Sequence, residues 1–233
     1  MTEALILAAG RGERLRPVTD ETPKPLLDDG RDVLLDRHLR ALAAAGVERV
    51  VINLGWLASK IVAHVGDGSQ FGLTVVYSPE GYPTLDTGGA IRKAIQVMAD
   101  APFWVVNADV HTSFDFANPP EHWLGCHDAA IGLVPKPAYV DRGDFALANG
   151  MASNAGATLL TFSGVSCYRP AFFAATSVER FSVVPLLRAA ADSGQLSAFE
   201  LDADWFDIGT PERLAHVRER VKKEVSAPDA SEA

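Results

Sequence analysis

A short apolar run, residues 4–7, empties into Gly10-Arg11-Gly12. A run of this kind, closed by glycine, reads as a buried parallel strand. Glycine then lets the backbone come close to a ligand, because no Cβ stands in the way. Arg14, Arg16 and, after a second turn, Lys24 follow within reach of the loop. Exposed N–H groups combined with several cations describe a cradle for a polyphosphate. The dinucleotide pattern G-x-G-x-x-G is not met, since Leu15 occupies the place of the third glycine, and no Gly-Lys-Ser/Thr follows to make a P-loop.

Downstream, strand and helix patterns alternate. Residues 33–45 carry leucines at 34, 35, 39 and 42, a helical period that Gly46 ends. Residues 49–53, 73–77 and 103–107 read as strands, with a short helix over 57–65 between the first two. A further helix is expected over 87–98, with Thr87 as its N-cap. The later part is less regular, with strands expected at 129–134, 145–147, 159–168 and 196–201. Its helices are expected at 170–175, 183–193 and 211–223. This alternation predicts an α/β fold: a Rossmann-like, open, mixed but mostly parallel sheet with helices on both faces. Ligands in such sheets lie beyond the carboxyl ends of the strands. Gly10, Glu80 and Asp109 each follow a strand there.

At 233 residues with 48% hydrophobic side chains, the chain suffices for one generous domain. No apolar run reaches bilayer length and no export signal opens the sequence, so neither a membrane span nor secretion is expected. Cys126 and Cys167 read as ordinary buried thiols and suit a reducing cytoplasm. A net charge of −9 argues against nucleic acid as a partner. It also means that an anionic substrate must be drawn in by a local cluster, which puts weight on Arg11, Arg14, Arg16 and Lys24.

The opening stretch resembles the sugar-phosphate nucleotidyltransferases, whose motif is roughly L-A-x-G-x-G-x-R-L-x-P-x-T followed by P-K-P-L. Gly10, Gly12, Arg14, Leu15, Pro17, Thr19, Pro23, Lys24, Pro25 and Leu26 fall at the matching places. Within the family the likeness is strongest to the bacterial N-acetylmuramic acid 1-phosphate uridylyltransferases. It runs on through Gly66-Asp-Gly-Ser-Gln-Phe-Gly-Leu, Tyr77-Ser-Pro-Glu-Gly and Arg142-Gly-Asp-Phe. The resemblance implies attack by a sugar 1-phosphate on the α-phosphorus of a nucleoside triphosphate, with loss of pyrophosphate. It implies UTP and N-acetylmuramic acid 1-phosphate as substrates, in cell-wall recycling. Mannose 1-phosphate guanylyl transfer, or a non-catalytic nucleotide-sugar sensor, is the alternative.

The same resemblance assigns the site. Leu7, Ala9, Gly10, Gly12, Glu80, Gly88 and Asn107 are expected at the nucleotide, together with Arg14 and Lys24. Arg14 is assigned to the leaving pyrophosphate and Lys24 to the α-phosphate and the incoming sugar phosphate. Asp109, in Asn107-Ala-Asp109, and Asp207, in Trp205-Phe-Asp-Ile-Gly-Thr-Pro211, match the family's metal-holding aspartates. Magnesium suits them, since it takes few protein carboxylates and fills its shell with phosphate and water. Arg14, Lys24 and Asp109 are thus the catalytic set.

An ionised Glu80 can only accept hydrogen bonds, which fits the N–H edges of uracil, thymine or guanine and opposes cytosine and adenine. Resemblance favours uracil. Gly143 and Asp144 are expected to touch the hexose. The chain is expected to be one domain over 1–223, with a nucleotide half to about 110, a sugar half beyond it, and a small, acidic, disordered tail at 224–233. A monomer or simple dimer is expected.

Overall fold

The structure, a computed structural model, describes residues 2–226. β1 (Glu3–Leu7), β2 (Arg49–Leu54), β3 (Thr74–Pro79) and β4 (Phe103–Asn107) alternate with α2 (Leu34–Ala44), α3 (Ala58–Val65) and α4 (Asp86–Ala94). A single turn, α1 (Val18–Glu21), lies in the loop after β1. Then follow β5 (Val110–Thr112), α5 (Pro120–Leu124), β6 (Ala129–Val134), β7 (Ala146–Ala148), β8 (Met151–Ser153) and β9 (Thr161–Tyr168). The chain ends in α6 (Val184–Asp192), β10 (Leu196–Glu200), β11 (Trp205–Asp207) and α7 (Pro211–Ser226).

Nine strands form one sheet in the order β3-β2-β1-β4-β9-β6-β10-β8-β7. The first four are mutually parallel, β9 is antiparallel to both β4 and β6, and β10 is parallel to β6. The expected mixed, mostly parallel sheet is therefore present. Side chains alternate across it as a strand's period of two demands. Ala4, Ile6, Val50, Ile52, Trp104 and Val106 enter one core with Leu35, Leu39 and Leu42 of α2 and Ile61 of α3. Leu5, Val51, Phe103 and Val105 enter the other, with Ile91 of α4 and Leu187 of α6. Helices thus cover both faces, and the strands are apolar on both sides for that reason. α2 ends as its sequence predicts: Gly46, at φ +80°, donates to the Ala43 carbonyl and Val47 donates to that of Leu42, at 3.0 Å each.

A third core joins the two ends of the chain. Leu15, Leu27 and Leu34 pack against Ile208, Leu214, Val217 and Val221. Burying each such side chain stabilises the fold by about 1.5–3 kcal/mol. That packing ties the glycine loop to the segment carrying Asp207.

Several expectations are corrected. Helix α4 begins at Asp86, so Thr87 is not its N-cap, and a 3-10 turn replaces its last part after Ala94. β5, β8, β11 and α5 were not foreseen. α7 continues to Ser226, beyond the expected end at 223, and residues 227–233 of the expected tail lie outside the described residues. Cys167 is buried, but Cys126 is exposed. No described helix is long and apolar enough to cross a membrane.

Candidate active site

Parallel pairing aligns Leu7 at the end of β1 with Asn107 at the end of β4, and the Ala108 amide donates to the Leu7 carbonyl at 3.1 Å. The glycine loop and the Asn107-Ala108-Asp109 turn therefore leave the sheet side by side. They line a cavity of about 250 Å³ with Lys24, Asn53, Glu80, Thr87 and Arg180. Leu7, Ala9 and Gly10 also line it.

Asn53, at the end of β2, organises the floor. Its Oδ1 accepts from the amides of Ala8 at 2.5 Å and Ala9 at 3.2 Å, while its Nδ2 donates to Glu80 Oε1 at 2.7 Å. Those two loop amides are therefore committed within the protein. The amides of Gly10, Arg11 and Gly12 have no acceptor among the described residues and stay available to a ligand. Glu80 Oε2 accepts from the Leu85 amide at 2.8 Å, so its carboxylate braces the loop before α4 as well as facing the cavity.

Gly12 adopts φ +67° and its carbonyl accepts from Thr19 Oγ1 at 2.8 Å, which folds the loop back on itself. The Trp56 indole donates to the Thr19 carbonyl at 2.7 Å, and the Arg11 guanidinium lies 4.5 Å over its ring. Trp56 thus packs the loop.

Lys24 is only 8% exposed, and its Nζ lies 2.5 Å from Asp109 Oδ2. A buried ammonium demands a counter-charge, and Asp109 supplies it. Asp207 arrives through pairing distant in sequence. β11 runs antiparallel to β5, matching Asp207 with Val110, and the Ile208 amide donates to the Asp109 carbonyl at 3.0 Å. Asp207 Oδ2 accepts from Arg213 at 2.6 Å. Burial, then the neighbouring charge of Asp109, raise the Asp207 pKa, opposed by Lys24, Arg213 and Arg14. Arg14 stands beside Gly209: a Cβ there would lie 3.1 Å from its guanidinium and 3.2 Å from Asp207 Oδ1. The two far-apart aspartates and the basic loop are thus brought together.

Behind this cluster lie further buried polar groups. Asp29 is fully buried. Burial would raise its pKa, but hydrogen bonds from His111, the Asp32 and Arg31 amides and Arg37 outweigh that and hold it well below the usual range. The bond to His111 Nδ1, 3.0 Å long, anchors β5. His38, also buried, bonds the Val110 backbone, and burial lowers its pKa to about 4.

Six predicted positions lie outside the lining of this cavity: Gly12, Arg14 and Asp207, described above, and Gly88, Gly143 and Asp144. Gly88 faces away: a Cβ on it would come within 2.2 Å of the Phe181 ring, and its amide donates to the Phe181 carbonyl at 2.9 Å. Gly143 backs onto Leu159, whose carbonyl oxygen a Cβ would approach to 2.3 Å. Asp144 Oδ2 accepts from the Phe162 amide at 2.9 Å, and its Oδ1 is 3.8 Å from Arg188. Both residues thus shape the turn before β7. A second groove of about 650 Å³, which Asp207 lines, opens between Tyr139, Trp205, Arg213 and His216. Asn53, Thr84, Asp86 and Arg180 were missed as lining residues. Asn53 left a signal, a polar residue closing an apolar strand, whereas Arg180 left none.

The nucleotidyl transferase family profile matches residues 3–123. Over 225 residues the chain is 41% identical to the N-acetylmuramate alpha-1-phosphate uridylyltransferase of Neisseria meningitidis, covering 91% of this chain and 95% of that one. The protein of the same name from Caulobacter vibrioides is 30% identical, over 90% and 92% of the two chains. The crystal structure of HddC from Yersinia pseudotuberculosis superposes with a TM-score of 0.77 at 26% identity, over 95% of this chain and all of that one. A glycine loop, a lysine and two converging aspartates at the strand ends, on a chain with these relatives, place it in the nucleotidyl transferase family as a sugar-1-phosphate nucleotidyltransferase.

Proposed function

We propose that the protein joins UTP to N-acetylmuramic acid 1-phosphate, giving UDP-N-acetylmuramic acid and pyrophosphate, a step of cytoplasmic cell-wall recycling. The observation that carries the reading is the meeting of Lys24, Asp109 and Asp207 beside the open amides of the glycine loop. The identity to two uridylyltransferases over nearly their whole length supports the choice of base and sugar.

In this reading the Gly10, Arg11 and Gly12 amides and Arg14 hold the β- and γ-phosphates, and Lys24 neutralises the α-phosphate. The attacking oxygen comes from the sugar 1-phosphate, so no protein nucleophile is needed. Catalysis consists of holding both substrates in line and neutralising charge that grows in the transition state. Glu80, already bonded by Asn53 and Leu85, has lone pairs left on each oxygen to accept the N3–H of uracil.

Among the described residues, no three carboxylate, histidine or cysteine groups gather closely enough to hold a metal unaided. The Asp109–Asp207 pair nonetheless fits magnesium. Its donors are oxygen only, phosphate and water would complete the shell, and the repulsion that resists Asp207 ionisation is what a cation between them relieves. When bound there, magnesium would polarise the phosphate oxygens.

The test is a pyrophosphate-release assay crossing UTP, dTTP and GTP with N-acetylmuramic acid, N-acetylglucosamine, mannose and glucose 1-phosphates. The proposal expects UTP with N-acetylmuramic acid 1-phosphate to give the highest kcat/KM. A preference for GTP with mannose 1-phosphate would replace it. Tight nucleotide binding without release for any pair would point to a sensor instead.

A further inference from the structure

One charged side chain lining the cavity has neither an ion pair nor a hydrogen bond among the described residues. Of its charged lining residues, Lys24 is paired with Asp109, Glu80 has both oxygens bonded, and Asp86 Oδ1 takes the Thr87 amide at 2.6 Å. Arg180 makes no ion pair or hydrogen bond among the described residues. The adjacent carboxylate, Glu179, is occupied by Ser177 Oγ at 2.9 Å.

Yet the backbone that presents Arg180 is held firmly. The Phe181 amide donates to the Leu85 carbonyl at 3.1 Å, and the Phe181 carbonyl accepts from Gly88 at 2.9 Å and Gly89 at 3.2 Å. The Val183 amide donates to Thr87 Oγ1 at 3.0 Å. Gly88 and Gly89 lie so close to this segment that a Cβ on either would collide, with the Phe181 ring or with the Glu179 carbonyl oxygen. A segment from the second half of the chain is thus stitched across the start of α4, and a guanidinium with unmet donors is set into the nucleotide cavity.

We propose that Arg180 binds the phosphate of the incoming sugar 1-phosphate. The inference rests on the reading of the site as a nucleotidyltransferase centre. A guanidinium offers a planar fork of N–H donors that matches phosphate oxygens two at a time. In-line displacement puts the incoming phosphate on the opposite side of the α-phosphorus from the leaving pyrophosphate, so the two anions need separate cations. The glycine loop and Arg14 belong to the first half and serve the triphosphate. Arg180 comes from the second half, where the sugar is expected.

Calorimetry on the full chain tests this. Magnesium and α,β-methylene-UTP are titrated first, then the sugar 1-phosphate that the wild-type protein uses best. Arg180→Ala should weaken sugar 1-phosphate binding by about 10- to 100-fold, the scale for a charge-assisted hydrogen bond, and leave the UTP analogue within about twofold. Arg180→Lys should recover part of the loss, since it keeps the charge but not the fork. Unchanged sugar 1-phosphate binding in Arg180→Ala, or an equal loss for the UTP analogue, overturns the assignment and leaves the functional reading standing. A wild-type protein that binds the UTP analogue but no sugar 1-phosphate overturns both.

Discussion

A Cβ added at Gly10 would meet no protein atom within 4 Å, whereas one at Gly12 would press on Thr19 Cγ2 at 2.9 Å. The first glycine is therefore free of any demand from the fold, and only a ligand lying against the loop would require it. Gly10→Ala is expected to unfold in urea within about 0.5 kcal/mol of wild type, as for a substitution away from packing. Its kcat/KM for UTP should fall by at least ~10-fold. Normal kinetics would move the triphosphate off this loop. His38 makes a separate prediction at the same scale. Its pKa is pushed from the ordinary 6.5 down to about 4 by burial, so the unfolded chain takes up a proton at a pH where the folded protein does not. The stability tied to this group is complete above pH 6.5 and lost as pH falls toward 4, about 3 kcal/mol in all. Urea unfolding at pH 7 and pH 4.5 should show a smaller drop for His38→Asn than for wild type. An equal drop would mean that His38 titrates normally.

Helix α4 shows how an element can carry a constraint opposite to its propensity. Alanine within a helix is favoured over glycine by about 1 kcal/mol, yet a Cβ at Gly89 would sit 2.0 Å from the Glu179 carbonyl oxygen. Gly89→Ala is therefore expected to destabilise the protein by about 1–3 kcal/mol, the range for overpacking, measured by urea unfolding. A gain in stability would show that residues 179–183 do not press on α4. The elements that the sequence reading located are those with local patterns: the leucine period of α2, the apolar runs of β1, β2 and β4, the Pro211 start of α7. β5 and β11 escaped because each is three residues long and exists through pairing with a partner far along the chain. The pinning of residues 179–183 escaped for the same reason. So Arg180 was invisible, and Gly88 was read as facing the ligand when it faces Phe181.

Across the whole molecule, the site is made by closing the chain on itself. The third core, in which Leu15 and Leu27 pack against Ile208 and Leu214, holds the loop that carries Arg14 and Lys24 against the strand that carries Asp207. The motifs at both ends were legible because their residue types and spacing are local. The distance between them was not, since only the sheet order and the β5–β11 ladder bring them together. The account depends on Asp109 and Asp207 serving one bound ion and one triphosphate. A double-mutant cycle in the pyrophosphate-release assay measures that dependence directly, comparing Asp109→Asn, Asp207→Asn and the double variant at saturating magnesium. Each single change is expected to lower kcat/KM by ~100-fold or more. The double variant should fall no more than about tenfold below the weaker single, because groups acting as a unit do not lose activity independently. Losses that multiply in full would mean that the two carboxylates act apart, and would contradict the shared site.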